Sequence, residues 1–121
     1  ARRGIYPQSR TTDIPRPLLQ KYFKRREDQG QLTVGAADAL KKMIRFGWLN
    51  LMHPWPMKGP FDVIFCRNVM MYLDRPVREK LIERFTKKLV PGGRLFTGHS
   101  ESLAGLDTNL KIVANAVYQK P

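Results

Sequence analysis

Apolar residues in this chain come in short bursts separated by glycine, proline and charge, and the period of the bursts changes along it. Residues 63–66, Val-Ile-Phe-Cys, have the length and β-branched content of a buried strand, and Lys58-Gly59-Pro60 ahead of them reads as a turn. The burst breaks off into Arg67 and Asn68, and a strand of an α/β fold presents its ligand-binding groups at that end. On strand physics alone, the same two residues serve as well for a plain strand end. Residues 74–89 then switch to the helical period. Val77, Leu81, Ile82, Phe85 and Leu89 share one face, Asp74 is placed to cap the first turn, and Pro76 is tolerated within it. Pro91-Gly92-Gly93 is expected to stop that helix and release the chain into a strand at residues 94–97. Residues 111–113 and 116–118 read as two short strands around a tight turn at Ala114-Asn115, a hairpin for one edge of a sheet.

The first half is less regular. Gly4, Pro7, Pro15 and Pro17 leave residues 1–17 without a helical or strand period, so a loop or linker is expected there. Residues 18–26 predict a short helix with Leu18, Leu19, Tyr22 and Phe23 on one face and Lys21, Lys24 and Arg25 around the other. A polar turn at residues 27–30 leads into an alternating strand at 31–34. Residues 37–45 stay open between helix and strand. Ile44 to Phe46 predicts another short strand, and His53-Pro54-Trp55-Pro56 must be loop. There is no internal repeat and no low-complexity tract.

Composition narrows the function classes. A length of 121 residues suits one domain with a modest stability margin. No run approaches the roughly 18 apolar residues of a membrane span, and the N-terminus lacks the apolar core of a signal peptide, so a soluble, intracellular protein is expected. The single cysteine, Cys66, excludes an internal disulfide and reads as a small buried hydrophobe. His53, His99 and one cysteine match no ligand spacing, so no metal is expected. Net charge is +12, and the first 26 residues hold eight Lys or Arg against one acid, Asp13. That field suits nucleic acid, a glutamate-rich helix or anionic lipid, and a solvated basic surface accounts for it equally. Gly98-His99-Ser100-Glu101-Ser102 follows a strand as a hydrolase nucleophile elbow would, with Ser102 in place of the last glycine. No histidine follows Ser100, so the chain order that this catalytic triad requires is absent.

Four strings carry a family resemblance: NLM at residues 50–52, FDVIFCRNVMMYLD at 61–74, PGGRLFTGHSESL at 91–103 and AVYQK at 116–120. In type and order they resemble the chemotaxis receptor methyltransferases of the CheR family, over nearly the whole chain. The resemblance implies an α/β, Rossmann-like S-adenosylmethionine-dependent methyltransferase fold. Residues 46–121 would be the C-terminal part of the methyltransferase domain, and residues 18–45 a small antiparallel β subdomain inserted in it. It further implies methyl transfer from S-adenosylmethionine to glutamate side chains on the cytoplasmic helices of methyl-accepting chemotaxis receptors, in the cytoplasm, with receptor helices rather than nucleic acid as partner. Some members use the insertion to hold a receptor's C-terminal peptide. The short turn at residues 25–30, with its single glycine, points to a member without that tether. The family's helical N-terminal domain, its glycine-containing cofactor loop and its ribose-binding acid would all lie upstream of Ala1. The chain is therefore expected to be the C-terminal half of an enzyme, weak in cofactor binding and inactive by itself, with an uncovered edge on the strand at 61–66. A non-catalytic binding or regulatory module of a signalling array is the alternative.

Carried over residue by residue, the resemblance makes Tyr72 the catalytic residue on the substrate side, though packing beneath the helix that starts at Asp74 is its alternative use. Arg67 and Asn68 would meet the amino-acid end of the cofactor, and Asn50 and Leu51 its adenine. The 98–102 string would be a loop closing near the site, with Ser100 and Glu101 capping a short turn. The chemistry fits such a set: a glutamate is already ionised at neutral pH, so methylating it requires alignment and removal of water rather than a general base. A guanidinium or a phenol hydroxyl can hold the carboxylate.

Overall fold

The computed structural model describes residues 2–28 and 30–121. The chain divides into two compact units, Ala1–Trp48 and Leu49–Pro121.

The first unit is an antiparallel sheet with two short helices. Strands β1 (Ile5–Pro7), β2 (Phe23–Asp28) and β3 (Gln31–Ala36) lie in the order β1-β3-β2, with α1 (Arg16–Tyr22) and α2 (Asp38–Met43) flanking them in sequence. Three expectations change here. The segment expected as loop holds a strand and a 3-10 turn (Gln8–Thr11): Ile5 pairs with Gly35 and Pro7 with Thr33. The prolines that read as loop signals occupy positions that spare the ladder. Pro7 ends an edge strand, Pro15 is the residue before α1, and Pro17 is in its first turn. The helix expected to reach residue 26 stops at Tyr22, because Phe23 turns to extended geometry and residues 23–28 pair with β3 in a six-residue ladder. Pairing across the sheet overrides the weak helical period. Within residues 37–45 the helix α2 forms over Asp38–Met43, and the strand expected at Ile44 to Phe46 does not form. Among the described residues no strand lies beside that segment to complete a ladder, and Met43, Ile44 and Phe46 remain exposed.

The second unit has the order strand, helix, strand, hairpin. Strand β4 (Phe61–Cys66) leads through a 3-10 turn (Met70–Tyr72) into α3 (Arg75–Lys88), then β5 (Leu89–Thr97), β6 (Lys111–Ala114) and β7 (Val117–Gln119). The sheet order is β4-β5-β7-β6, with β4 parallel to β5 and the remaining pairs antiparallel. A parallel pair needs a crossover, and α3 supplies it. Asp74 caps α3 by accepting from the Val77 N–H at 3.0 Å. Leu81, Ile82 and Phe85 are buried in a cluster with Cys66, Met70, Leu89, Leu95, Leu103, Leu110 and Tyr118.

Strand β5 begins five residues earlier than the glycines suggested, and Pro91-Gly92-Gly93 bulges out within it: Phe61 faces Leu89 whereas Val63 faces Arg94. Gly92 lies at φ 76°, and a Cβ on Gly93 would come within 2.8 Å of the Val90 carbonyl. The chain's end pins this bulge. The Gly92 N–H donates to the Lys120 carbonyl, the Lys120 N–H donates to the Gly93 carbonyl, and the Gln119 side chain donates to the Gly92 carbonyl, each at 2.9 Å. Strand β4 is not the fully buried strand that its composition suggests. Ile64 and Cys66 turn inward, but Val63 is 43% and Phe65 71% exposed, because alternate side chains point away from the core packed around α3.

Candidate functional site

Strands β4 and β5 run parallel, so their C-terminal ends open on the same side of the sheet, and the loops leaving them meet there. Arg67 and Asn68 leave β4, while Gly98 and His99 leave β5. The Arg67 Nη2 lies 3.0 Å from His99 Nδ1. A guanidinium only donates, so His99 accepts through Nδ1 in this contact. Asn68 holds φ 58°, in the left-handed region where asparagine is the commonest residue after glycine. Tyr72 closes the 3-10 turn before α3 and is 81% exposed. It is not packed beneath the helix.

The group that joins these loops is Glu101, which is only 5% exposed. Its Oε2 accepts from the backbone N–H groups of Asn68 and Gly98, both at 2.7 Å, and its Oε1 accepts from Met71 N–H at 3.2 Å. Burial by itself would raise the Glu101 pKa, but the N–H donors of Gly98, Asn68, Met71 and Met70 outweigh it and hold the carboxyl below its ordinary value. Gly98 is required by space. A Cβ there would sit 2.6 Å from both Asn68 Oδ1 and Glu101 Oε2. Cys66, at the end of β4, is buried, and its thiol is pushed up to about 11, first by desolvation and then by the negative charge of Glu101.

Asn50 and Leu51 are held by other bonds. Asn50 Oδ1 accepts from the Met52 N–H at 2.9 Å, a local turn bond. The Leu51 carbonyl accepts from Trp55 Nε1 at 3.1 Å and from Arg84 Nη1 at 2.9 Å, and Arg84 also holds the His53 carbonyl. Arg84 comes ten residues after the Asp74 cap, roughly 15 Å along α3 at the helical rise. The structure thus gathers Arg67, Asn68 and the turn bearing Tyr72, but no hydrogen bond among the described residues links them to Asn50 or Leu51.

Neither the reach of Glu101 beyond a turn cap nor the contact of His99 with Arg67 is legible from residue type. The available signal was slight: a carboxylate three residues after the glycine that ends a strand. A separate cavity of about 530 Å³ lies in the first unit, walled by Tyr6, Phe23, Leu40, Ile44 and Phe46 with Arg2, Arg10 and Lys41 among its lining. It holds none of the expected site residues. Among the described residues no three His, Cys, Asp or Glu side chains come together as metal ligands, and no helix is long and apolar enough to cross a membrane.

Residues 1–119 match the family described as CheR methyltransferase, SAM binding domain. The chain belongs to the CheR family. CheR membership implies a Rossmann-like methyltransferase fold, consistent with the α/β content and mixed sheet, and makes S-adenosylmethionine the cofactor. Relatives agree in name. The chain is 42% identical over 105 residues to the probable chemotaxis protein methyltransferase of Rhizobium etli, covering 87% of this chain and 39% of the relative. It is 40% identical over 121 residues to the chemotaxis protein methyltransferase of Borreliella burgdorferi, covering 99% of this chain and 41% of that protein. With the Escherichia coli chemotaxis protein methyltransferase it shares 36% over 119 residues, 98% of this chain and 42% of the other. The chain therefore spans about two fifths of the length of the curated relatives it matches.

Proposed function

We propose that this chain is the C-terminal part of a cytoplasmic protein-glutamate O-methyltransferase, with residues 18–45 as its small inserted β subdomain. It would use S-adenosylmethionine to turn glutamates on the cytoplasmic helices of chemoreceptors into methyl esters. The observation that carries this reading is the grouping of exposed Arg67, Asn68 and Tyr72 beyond the C-terminal end of β4, in a chain of a cofactor-binding methyltransferase family. When bound, the cofactor supplies a methyl group carried on a positively charged sulfur.

The donor set fits such a ligand. Arg67 and the Asn68 amide are solvent-facing donors suited to the carboxylate of its amino-acid end. Asn50 and Leu51 are assigned to the adenine, where an amide reads a base edge and an apolar side chain covers its face. Tyr72 is assigned to the glutamate: its exposed hydroxyl donates to the carboxylate and aligns it, and no residue needs to take a proton. Esterification removes one negative charge from a helix where like charges repel, and this supplies the signal. The basic balance of the chain, +12, suits approach to an acidic helix bundle.

The test is transfer from methyl-labelled S-adenosylmethionine to chemoreceptor cytoplasmic fragments by the intact protein, read as methanol released by alkali. Tyr72→Phe removes one neutral hydrogen bond and is expected to slow transfer about threefold to tenfold, without loss of stability at so exposed a position. Arg67→Ala is expected to weaken cofactor binding more than it slows turnover at saturation. Unchanged transfer in both variants contradicts the assignment of the site.

A further inference from the structure

We propose that Glu101 is the positioning residue of this site: its carboxylate ties the loop after β4 to the loop after β5 and thereby sets cofactor affinity. The proposal rests on the reading that Arg67 and Asn68 meet the cofactor. Its own support is geometric. One carboxylate oxygen is shared by the N–H groups of Asn68 and Gly98 at 2.7 Å, and the other holds Met71 N–H at 3.2 Å. The two loops are 30 residues apart in sequence at the Met71 contact and 33 at the Asn68 contact, so the clamp is a tertiary device rather than a local turn. The Glu101 N–H bonds back to the Gly98 carbonyl at 2.9 Å, which fixes the origin of the side chain.

The partners of this carboxylate distinguish it from a core ion pair. The ion pairs among the described residues are Lys41–Asp38, Arg75–Glu79 and Lys87–Glu83, and none includes Glu101. Its charge is answered by backbone dipoles that belong to the functional loop itself. Asn68 pays for its left-handed backbone in strain, and the bond from its N–H to Glu101 offsets that cost. Gly98 is bare because Asn68 and Glu101 occupy the place of its side chain. Three separate features, a left-handed asparagine, a glycine without room and a buried carboxylate, are thus explained by one clamp. The lowered pKa of Glu101 agrees with it. The titratable or charged groups on the elements around it are Cys66 at the end of β4, Arg78 of α3, which lines the same small cavity, and His99 with Arg67 in the two loops that it joins.

The experiment uses the intact protein with Glu101→Gln, which keeps the shape but turns one acceptor oxygen into a donor facing a backbone N–H. Glu83→Gln, at an exposed position of α3, is the control. S-adenosylmethionine affinity by calorimetry should fall roughly tenfold or more in Glu101→Gln and stay unchanged in the control, while the methyl-transfer rate at saturating cofactor changes far less. In a second arm that needs no variant, the Asn68 and Gly98 amide resonances of the parent protein are followed through an acid titration. They should move together, and cofactor affinity should fall along the same curve. A folded Glu101→Gln protein that binds cofactor like the parent overturns the proposal, and so do the two amides titrating with no change in affinity. Absence of methyl transfer to receptors in the parent protein counts against the enzymatic reading alone, because affinity and amide shifts still decide the role of Glu101.

Discussion

Cys66 and Glu101 are both buried where β4 ends, and their environments push them to opposite protonation states. Glu101 stays charged because backbone N–H groups solvate it; Cys66 stays neutral because burial and the Glu101 charge both oppose a thiolate. An unfolded cysteine ionises near pH 8.5, so between about 8.5 and about 11 the unfolded chain loses a proton that the native state keeps. Stability must fall with rising pH across that window. The urea midpoint of the parent is expected to drop more steeply there than that of Cys66→Ala; parallel slopes would mean that the thiol is not so shielded. The sequence made Arg67, Asn68 and Tyr72 legible as candidates because they follow a strand with nothing apolar to do. It made Cys66 legible as a buried residue. It did not expose the reach of Glu101, since the partners are backbone N–H groups, which leave no mark in residue type.

Helix α3 was legible from end to end because its cap and its apolar face are local features: Asp74 accepts from Val77 N–H, and Leu81, Ile82 and Phe85 are buried. The shift from α1 to β2 at Phe23 was not, because the ladder with β3 that decides it is non-local. The bulge at residues 91–93 was read only as a stop, since its bonds run to the other end of the unit at Gln119 and Lys120. Strand β4 differs from its apparent type for a further reason. A run of apolar residues fits a strand covered on both faces, whereas β4 buries one face, leaves Val63 and Phe65 open on the other, and is the edge of its sheet. An uncovered apolar edge invites pairing between chains. Phe65→Lys in the 121-residue chain is expected to lower self-association in sedimentation. The lost stacking on Phe96, with ring centroids 4.7 Å apart, would cost about 1 kcal/mol. Association that is unchanged at equal concentration would place the sticky surface elsewhere.

For the molecule as a whole, a net charge of +12 is compatible with the glutamate-bearing partner proposed above but does not single it out. The division of labour follows the two units. The second carries the strand ends, the clamp and the exposed tyrosine, and the first is a basic antiparallel sheet with an apolar cavity. The proposed function turns on where the methyl group is delivered. The most direct measurement is tandem mass spectrometry of chemoreceptor cytoplasmic fragments after incubation with the intact protein and S-adenosylmethionine. A gain of one methylene on glutamate side chains of the receptor helices, removed by mild alkali, is the expected result. Methylation on another residue type, or none while the cofactor is demonstrably bound, contradicts it.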